Sequence, residues 1–297
     1  MTARVVIVGA GSMGERHARV FAAAPGAYLA GVHDVDAARA RDVASRWDAS
    51  VTGTLDVAID RADLVVLATP TDVHEAQARR VIARGRHVLV EKPLCATGAC
   101  ARELCDLARA SGVRLFVGHS ERFNPVMRAL LAATADDPAI AIHTRRHGTA
   151  RPSREEICLN LAVHDVDLAA VLFRAEVALT SADGDTDRAE LLVRARGGRQ
   201  ARIDVSHGAR RARTIRVQTA RFVYEGDLLA SSLVRIEPGR EVSLPLDGAE
   251  PLALQAEAAL AAIDGRPSDI ATGEDGARAV SVAERALAAP SRISAAE

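Results

Sequence analysis

Three spaced glycines near the start of the chain constrain its fold more than any other feature. A strand-like apolar run, residues 4–8, leads directly into Gly9, Gly11 and Gly14, and a helical pattern follows over residues 15–21. In this order, the first glycine permits a tight turn, the second lets the backbone approach a pyrophosphate, and the third lets helix and strand pack closely. The pattern predicts a dinucleotide-binding βαβ unit with a helix N-terminus aimed at the phosphates. The loop residues predicted to contact the dinucleotide are Gly9, Gly11, Ser12, Met13 and Gly14.

An acidic residue after the second predicted strand bears on the choice of dinucleotide. The run 28–33 ends at Asp34, whose carboxylate would accept hydrogen bonds from both ribose hydroxyls and repel a 2′-phosphate. Asp34 therefore favours NAD. Two alternatives stay open: Asp34 caps the next helix, which starts near Asp36, or Arg39 and Arg41 bind the extra phosphate of NADP.

Composition and charge exclude several classes of protein. The chain has 297 residues, enough for two domains, with 48% apolar and 26% charged residues. Its 38 basic and 39 acidic side chains give a net charge of −1, so no basic excess indicates nucleic acid as a partner. No run of about twenty apolar residues suggests a membrane span. The first strand begins within a few residues of Met1, which leaves no room for a signal peptide, and we expect a cytoplasmic protein.

Up to about residue 120, short apolar strands alternate with helical segments. Continuous apolar strands separated by helices are typical of a parallel sheet covered on both faces. We therefore predict a doubly wound Rossmann domain over residues 1–120. Its remaining predicted elements are strands at 64–68, 87–90 and 114–117 and helices at about 72–84 and 97–110.

Beyond residue 120 the pattern changes to strands that alternate apolar and polar residues. Such alternation over residues 176–246 predicts a mostly antiparallel open sheet with one solvated and one helix-covered face. We predict a second, α+β domain over residues 121–297 that binds substrate in the cleft between the domains and supports a homodimer or homotetramer. Its other predicted elements are helices at about 124–134, 158–173, 251–263 and 274–288, a strand at 140–147 and a polar loop at 149–156.

Two segments that follow strands of the parallel sheet carry candidate site residues. Ligands of open α/β sheets bind at the carboxyl ends of the strands. Thr69 and Pro70 would wrap the far side of the cofactor, and His74 would either reach a ribose or simply start a helix. Glu91 and Lys92 end the next strand, and Lys92 would hydrogen-bond a substrate hydroxyl near the nicotinamide and stabilise its developing charge. Pro93 would fix the turn that directs Lys92, and a cis peptide bond before Pro93 is one way to do so.

A helical segment in the second domain offers an acid/base group. Asn160 and His164 are four residues apart and share one helix face, and Asp167, three further on, is predicted to orient the imidazole. A histidine is a suitable proton acceptor when a hydride leaves the adjacent carbon. The alternative is a structural histidine in the core. A metal site is not expected, because His164 and Asp165 are adjacent and point apart.

The segment that crosses into the second domain adds two polar candidates. Arg122 and Asn124 would bind substrate oxygens or, equally, tie the crossover together. The four cysteines show no metal-binding spacing, and we interpret Cys95, Cys100 and Cys105 as small buried residues on or beside one helix.

These motifs together resemble the Gfo/Idh/MocA family of NAD(P)-dependent sugar and cyclitol oxidoreductases over essentially the whole chain. The Gly9–Gly14 fingerprint, the Glu91-Lys92-Pro93 turn and the helix carrying His164 match that family in order and spacing. The resemblance implies that Lys92 contacts substrate and nicotinamide and that His164 is the acid/base. The family commonly has Asp at the position of Asn160, although an amide also occurs in members that act on UDP-linked sugars. The segment 118–125 resembles UDP-N-acetylglucosamine-type 3-dehydrogenases and some inositol dehydrogenases.

From these residues we expect an NAD-dependent dehydrogenase acting on a secondary alcohol of a sugar, sugar nucleotide or cyclitol. Lys92, His164 and Asn160 are the expected catalytic residues, and with Arg122 and Asn124 they form the expected substrate site. Two alternatives remain. One is a redox-neutral epimerase or elimination enzyme with tightly held NAD, and the other is a non-catalytic NAD-responsive binding protein.

Overall fold

A computed structural model describes residues 2–149, 153 and 155–289, and the chain divides into two compact units. The first unit comprises residues 1–120 and 250–277, and the second comprises residues 121–249 and 278–297. Residues 250–277, which the sequence analysis assigned to the second domain, thus cluster with the first unit. Among the described residues, no helix combines the length and apolar character needed to cross a bilayer. The polar loop predicted at residues 149–156 lies partly outside the described residues.

The first unit contains a parallel sheet whose strands are buried runs of aliphatic residues. Val5, Ile7, Val65 and Leu89 are all inaccessible to solvent, as expected for strands with helices on both faces. In the described part of this unit, the strand order is β2-β1-β3-β4-β5. The elements are β1 Ala3–Val8, α1 Ser12–Ala23, β2 Ala27–His33, α2 Ala37–Arg46, α3 Leu55–Asp60, β3 Leu64–Leu67, α4 Thr71–Ala83, β4 His87–Val90, α5 Gly98–Ala110 and β5 Leu115–Val117.

The strand order explains why the candidate cofactor residues share one edge. The sheet grows outward from β1 in both directions, so its connections reverse between β1 and β3. The carboxyl ends of β1, β3 and β4 are neighbours, as Val8 pairs with Leu67 and Leu67 pairs with Val90. Such a reversal point is where open α/β sheets bind ligands.

The second unit is built on a mostly antiparallel sheet. Over the described residues its order is β13-β12-β11-β10-β6-β9-β8-β7, and β6 with β9 is its parallel pair. Its elements are a 3₁₀ turn Ser120–Phe123, α6 Pro125–Ala133, β6 Ala141–Gly148, a π-helix Glu156–Ala162, α7 Val163–Phe173, β7 Val177–Gly184, β8 Arg188–Ala195, β9 Gln200–His207, β10 Ala212–Gln218, β11 Val223–Asp227, β12 Ser232–Glu237 and β13 Arg240–Ser243. The chain then forms α8 Pro251–Ile263, which belongs to the first unit, and α9 Gly273–Ala288, which begins in the first unit and ends in the second.

The two faces of this second sheet differ as the alternating pattern predicts. On β6, Ile142 and Arg146 are buried, while Arg145 is exposed and His143 is half-buried. Alternate residues of a strand point to opposite faces, so one face packs under α6, α7 and the π-helix and the other is polar. The predicted α/β fold class, a Rossmann sheet followed by an α+β unit, is confirmed.

One predicted helix differs from the structure in kind. The sequence predicts a single α-helix from about residue 158 to residue 173, but the chain forms a π-helix over Glu156–Ala162 and becomes α-helical at Val163. A seven-residue π-helix is rare, and such wide turns occur frequently at functional sites. Apolar periodicity does not distinguish the two helix types over so short a stretch.

Candidate active site

The three glycines of the loop after β1 have different structural reasons. Gly9 has φ +97°, and a Cβ there would lie 2.5 Å from the Ala68 carbonyl oxygen. A Cβ on Gly14 would lie 1.7 Å from the carbonyl oxygen of Gly9, so only glycine lets α1 start this close to the turn. A Cβ on Gly11 would meet nothing within 4 Å. Gly9 and Gly14 are therefore required by the fold, whereas Gly11 borders open space that suits a ligand.

That open space lies at the N-terminus of α1. The helix begins at Ser12 with Gly11 as its N-cap, so Ser12 and Met13 contribute N–H groups of the first turn. Such groups have no acceptor inside a helix and carry the positive end of its dipole. The predicted loop residues thus fit a pyrophosphate both in shape and in charge.

Asp34 ties the end of β2 to the glycine loop. One carboxylate oxygen accepts a hydrogen bond from the Ala10 N–H at 2.6 Å, and the other accepts one from the Asp36 N–H at 2.8 Å. The N-cap of α2 is Asp36, whose side chain accepts from Ala38 and Arg39, so the alternative of Asp34 as helix cap is wrong. Because each carboxylate oxygen can accept more than one hydrogen bond, Asp34 can also take ribose hydroxyls. The Arg39 guanidinium donates to Asp36 at 3.0 Å.

The loop after β3 holds the predicted residues Thr69, Pro70 and His74, and the His74 ring is buried between two backbone carbonyls. Its ring is 1% exposed, with Nε2 2.8 Å from the Thr69 carbonyl oxygen and Nδ1 2.9 Å from that of Pro93. His74 therefore joins the β3 and β4 loops, and its contact with a ribose stays a prediction. Pro70 is the N-cap of α4, and the Thr69 hydroxyl donates to Gln77 at 2.7 Å.

The turn after β4 is anchored by a buried carboxylate. Glu91 is 7% exposed, and its Oε1 lies 2.7 Å from Nε2 of the buried His17 on α1. Its other oxygen accepts the Lys92 N–H at 3.2 Å. Burial by itself would raise the pKa of Glu91, but the hydrogen bond from His17 and the charges of His17 and Lys92 hold that pKa below its ordinary value. Glu91 thus positions the turn from inside the fold, and the direct cofactor contact expected for it stays a prediction.

Lys92 emerges from this anchored turn. Lys92 is half-buried, and the Lys92–Pro93 peptide bond is cis, which is one of the two forms expected from the sequence. Gly118 closes the back of the turn, since a Cβ there would lie 2.9 Å from the Glu91 carboxylate. Sequence reasoning missed the roles of His17 and Gly118. For His17 the signal was its position three residues after Gly14, on the buried face of α1.

In the second unit, the π-helix and α7 carry Asn160 and His164. Both residues are half-buried, and the Asn160 Nδ2 donates to the Glu156 carboxylate one turn earlier. Asp167 was expected to orient His164, and the structure shows it bound to Arg122. Both of its oxygens accept from the Arg122 guanidinium, at 2.8 and 2.5 Å, and the carboxylate is almost fully buried.

A second buried arginine fixes the start of α7 against the sheet. Arg146, 2% exposed, donates to Asp165 at 2.6 and 3.2 Å and to Glu121 at 3.0 and 2.6 Å. Burial acts to lower the pKa of Arg146, but the charges of Asp165 and Glu121 outweigh it and raise that pKa. Arg213 also donates to Glu121, at 2.5 Å. His164 therefore lies in the first turn of α7, next to Asp165, whose carboxylate is held by Arg146.

The two crossover candidates have contacts within the second unit. Asn124 is the N-cap of α6, where its Oδ1 accepts the Val126 N–H at 2.9 Å and its Nδ2 donates to the Leu228 carbonyl at 3.1 Å. Of the two interpretations, tying the chain together fits Asn124. Arg122 is 11% exposed and bound to Asp167, which leaves its prediction as a substrate contact untested.

The cysteines and possible metal ligands add no chemistry to this arrangement. Cys95, Cys105 and Cys158 are buried and Cys100 is half-buried. Burial raises the pKa of the Cys95 and Cys100 thiols, which opposes thiolate formation. Among the described residues, no cluster of three or more His, Cys, Asp or Glu side chains could hold a metal ion.

Comparisons with known proteins bear on the whole chain. An inositol 2-dehydrogenase of Acidothermus cellulolyticus is 34% identical over 185 residues, covering 59% of this chain but little more than half, 54%, of the relative. A solved UDP-N-acetylglucosamine 3-dehydrogenase of Acidithiobacillus ferrooxidans is 27% identical with a TM-score of 0.88, covering 97% of this chain and 98% of that one. GenD2 from gentamicin A biosynthesis, solved in complex with NAD, is 28% identical with a TM-score of 0.80, covering 96% and 94%.

The glycine loop, the helix N-terminus and Asp34 together define an NAD-binding Rossmann domain. Residues 3–119 match the family described as an oxidoreductase family with NAD-binding Rossmann fold. This match agrees with the resemblance to Gfo/Idh/MocA oxidoreductases drawn from the sequence.

Proposed function

We propose that this protein is an NAD-dependent dehydrogenase that oxidises a secondary alcohol of a sugar, sugar nucleotide or cyclitol. The observation that carries the proposal is the edge of the parallel sheet, where an open glycine loop neighbours a half-buried lysine on an anchored turn. The names of the relatives, inositol 2-dehydrogenase and UDP-N-acetylglucosamine 3-dehydrogenase, support this substrate class.

The cofactor assignment rests on residues of the first unit. The pyrophosphate would lie over Gly11 and take the N–H groups that begin α1, and Asp34 would bind the adenosine ribose. A carboxylate at that place repels a 2′-phosphate, which supports NAD over NADP. When bound, NAD accepts the hydride.

The chemistry of the alcohol would be carried by three side chains. Lys92 would donate a hydrogen bond to the substrate oxygen and stabilise its partial negative charge. His164 would accept the hydroxyl proton as the hydride leaves the carbon. Asn160 would hold the substrate through its amide. The buried Glu91–His17 pair would keep the turn that carries Lys92 in place.

The test is NADH formation at 340 nm with NAD or NADP and a panel of UDP-sugars, free sugars, sugar phosphates and inositols. We expect turnover with NAD and one substrate class, and a drop in kcat of about 10²–10⁴-fold in His164→Ala, the range for loss of a general base. Affinity for NAD should stay unchanged in this variant.

A matched control variant distinguishes the loss of the catalytic base from the effect of replacing any histidine. His87→Gln lies at the start of β4, where the ring accepts the Arg114 N–H at 2.9 Å, and should keep parent turnover. Turnover at the parent rate in His164→Ala would refute the assignment of the base. If the parent binds NAD but forms no NADH with any substrate of the panel, the proposal that it is a dehydrogenase would be refuted.

A further inference from the structure

The hydrogen bond between Glu156 and Asn160 fixes the orientation of a side-chain amide. The Asn160 Nδ2 donates to a Glu156 carboxylate oxygen within the π-helix, and both residues are half-buried. An ionised carboxylate only accepts hydrogen bonds, so it can bind the NH₂ end of an amide but not the carbonyl end. The Asn160 Oδ1 therefore faces away from Glu156, and the amide presents an acceptor.

We propose that Glu156 is a positioning residue that holds the Asn160 amide so that its Oδ1 accepts a hydrogen bond from the substrate hydroxyl. This inference rests on the proposed function. Glu156, Asn160 and His164 recur every four residues, the spacing that places side chains on neighbouring turns of a helix. A wide π-turn at functional sites is a recurrent feature, and here it ends two residues before His164.

The charges explain why an amide at position 160 needs an acid at position 156. Asn160 alone can rotate by half a turn and exchange donor and acceptor at little cost. Glu156 removes this ambiguity while the residue beside the substrate, Asn160, stays uncharged. A carboxylate at position 160 would instead lie in contact with Glu156, and two such acids raise the pKa of one of them.

An NMR experiment tests the contact independently of turnover. The chain has just two asparagines, Asn160 and Asn124, so protein labelled with ¹⁵N-asparagine gives two side-chain NH₂ pairs. We expect the chemical shifts of the Asn160 pair to change in Glu156→Gln, because the carboxylate that accepts from the Asn160 Nδ2 is then lost. Asn124, bonded to the Leu228 carbonyl, is the internal reference and should not follow. Asn160 signals that do not change on this substitution would overturn the proposal.

Kinetics then test the positioning role, with UDP-N-acetylglucosamine and inositol as the substrates. In Glu156→Gln the Asn160 amide is free to turn over and to lose the hydrogen bond that its Oδ1 accepts from the substrate hydroxyl. Loss of one such neutral hydrogen bond predicts a drop of about three- to tenfold in kcat/KM with unchanged affinity for NAD. Glu155→Gln is the matched control, because it removes the same charge from the exposed neighbouring residue. Asn160→Asp should move the acid limb of the pH profile to higher pH, and Glu156→Gln/Asn160→Asp should move it back.

The outcomes separate this inference from the function on which it rests. If the parent turns over neither substrate, while the Asn160 signals still change in Glu156→Gln, the proposed function alone would be refuted. Parent kcat/KM in Glu156→Gln, together with the same pH profile in Asn160→Asp and in Glu156→Gln/Asn160→Asp, would refute the positioning role and leave the dehydrogenase standing. A purely structural Glu156 would lower thermal stability without moving the pH profile of Asn160→Asp.

Discussion

Two alanine substitutions in one loop should separate the fold from the cofactor site. Gly14→Ala would place a Cβ 1.7 Å from the Gly9 carbonyl oxygen, where real Cβ contacts are not found under 3.0 Å, so backbone must move by at least 1.3 Å. Overpacking of this kind costs about 1–3 kcal/mol, and a backbone neighbour puts it at the upper end. The better helix propensity of alanine returns about 1 kcal/mol. We expect a net loss of about 2 kcal/mol in the free energy of unfolding.

Gly11→Ala should do the opposite. Its Cβ would enter open space, and its φ of −77° is accessible to alanine, so the fold loses only the N-cap preference of glycine, about 0.5–1 kcal/mol. The same methyl group would push a pyrophosphate off the helix N-terminus. Losing one charge-assisted hydrogen bond, about 1.5–3 kcal/mol, predicts at least a tenfold weaker Kd for NAD.

Urea unfolding and calorimetric titration with NAD measure the two effects on the same preparations. The structural reasoning would be refuted if Gly14→Ala unfolds at the parent's urea concentration, because the clash with the Gly9 carbonyl oxygen would then be absorbed without cost. The cofactor assignment would be refuted if Gly11→Ala binds NAD as tightly as the parent does.

Two further predictions concern buried charges. Since the pKa of Glu91 is lower in the folded protein, its ionised form stabilises the fold above about pH 4.3, the unfolded value, and this contribution disappears as the pH falls through the folded pKa. Urea midpoints from pH 7 to 3 should therefore fall more steeply for the parent than for Glu91→Gln, and equal slopes would contradict the shift. Arg146→Met leaves Glu121 and Asp165 buried without their shared cation, which predicts a loss of about 3–5 kcal/mol in unfolding free energy. Arg213→Met, at a side chain 35% exposed, should cost about 1 kcal/mol or less, and similar losses in both variants would count against the cluster.

Much of the first unit can be predicted from sequence because its determinants are local. The spacing of Gly9, Gly11 and Gly14 encodes a turn, a close approach and a helix start within six residues. Uninterrupted apolar strands between helices indicate a parallel sheet, and alternation after residue 176 indicates the open antiparallel one. Steric and hydrophobic periodicities of this kind act over a few residues, and a linear pattern displays them directly.

The partners of the polar side chains were decided only by the tertiary structure. Glu91 and His17 are 74 residues apart, and Arg122 and Asp167 are 45 apart. The sequence shows that such residues exist, but it does not show that Glu91 meets His17 or that Asp167 meets Arg122. A buried carboxylate takes whichever donor the packed backbone brings within about 3 Å, and that neighbour is set by how strands and helices assemble. The sequence by itself therefore determined the class of fold and the glycine loop, while only the packed chain decided which side chains remain for chemistry and which support the fold.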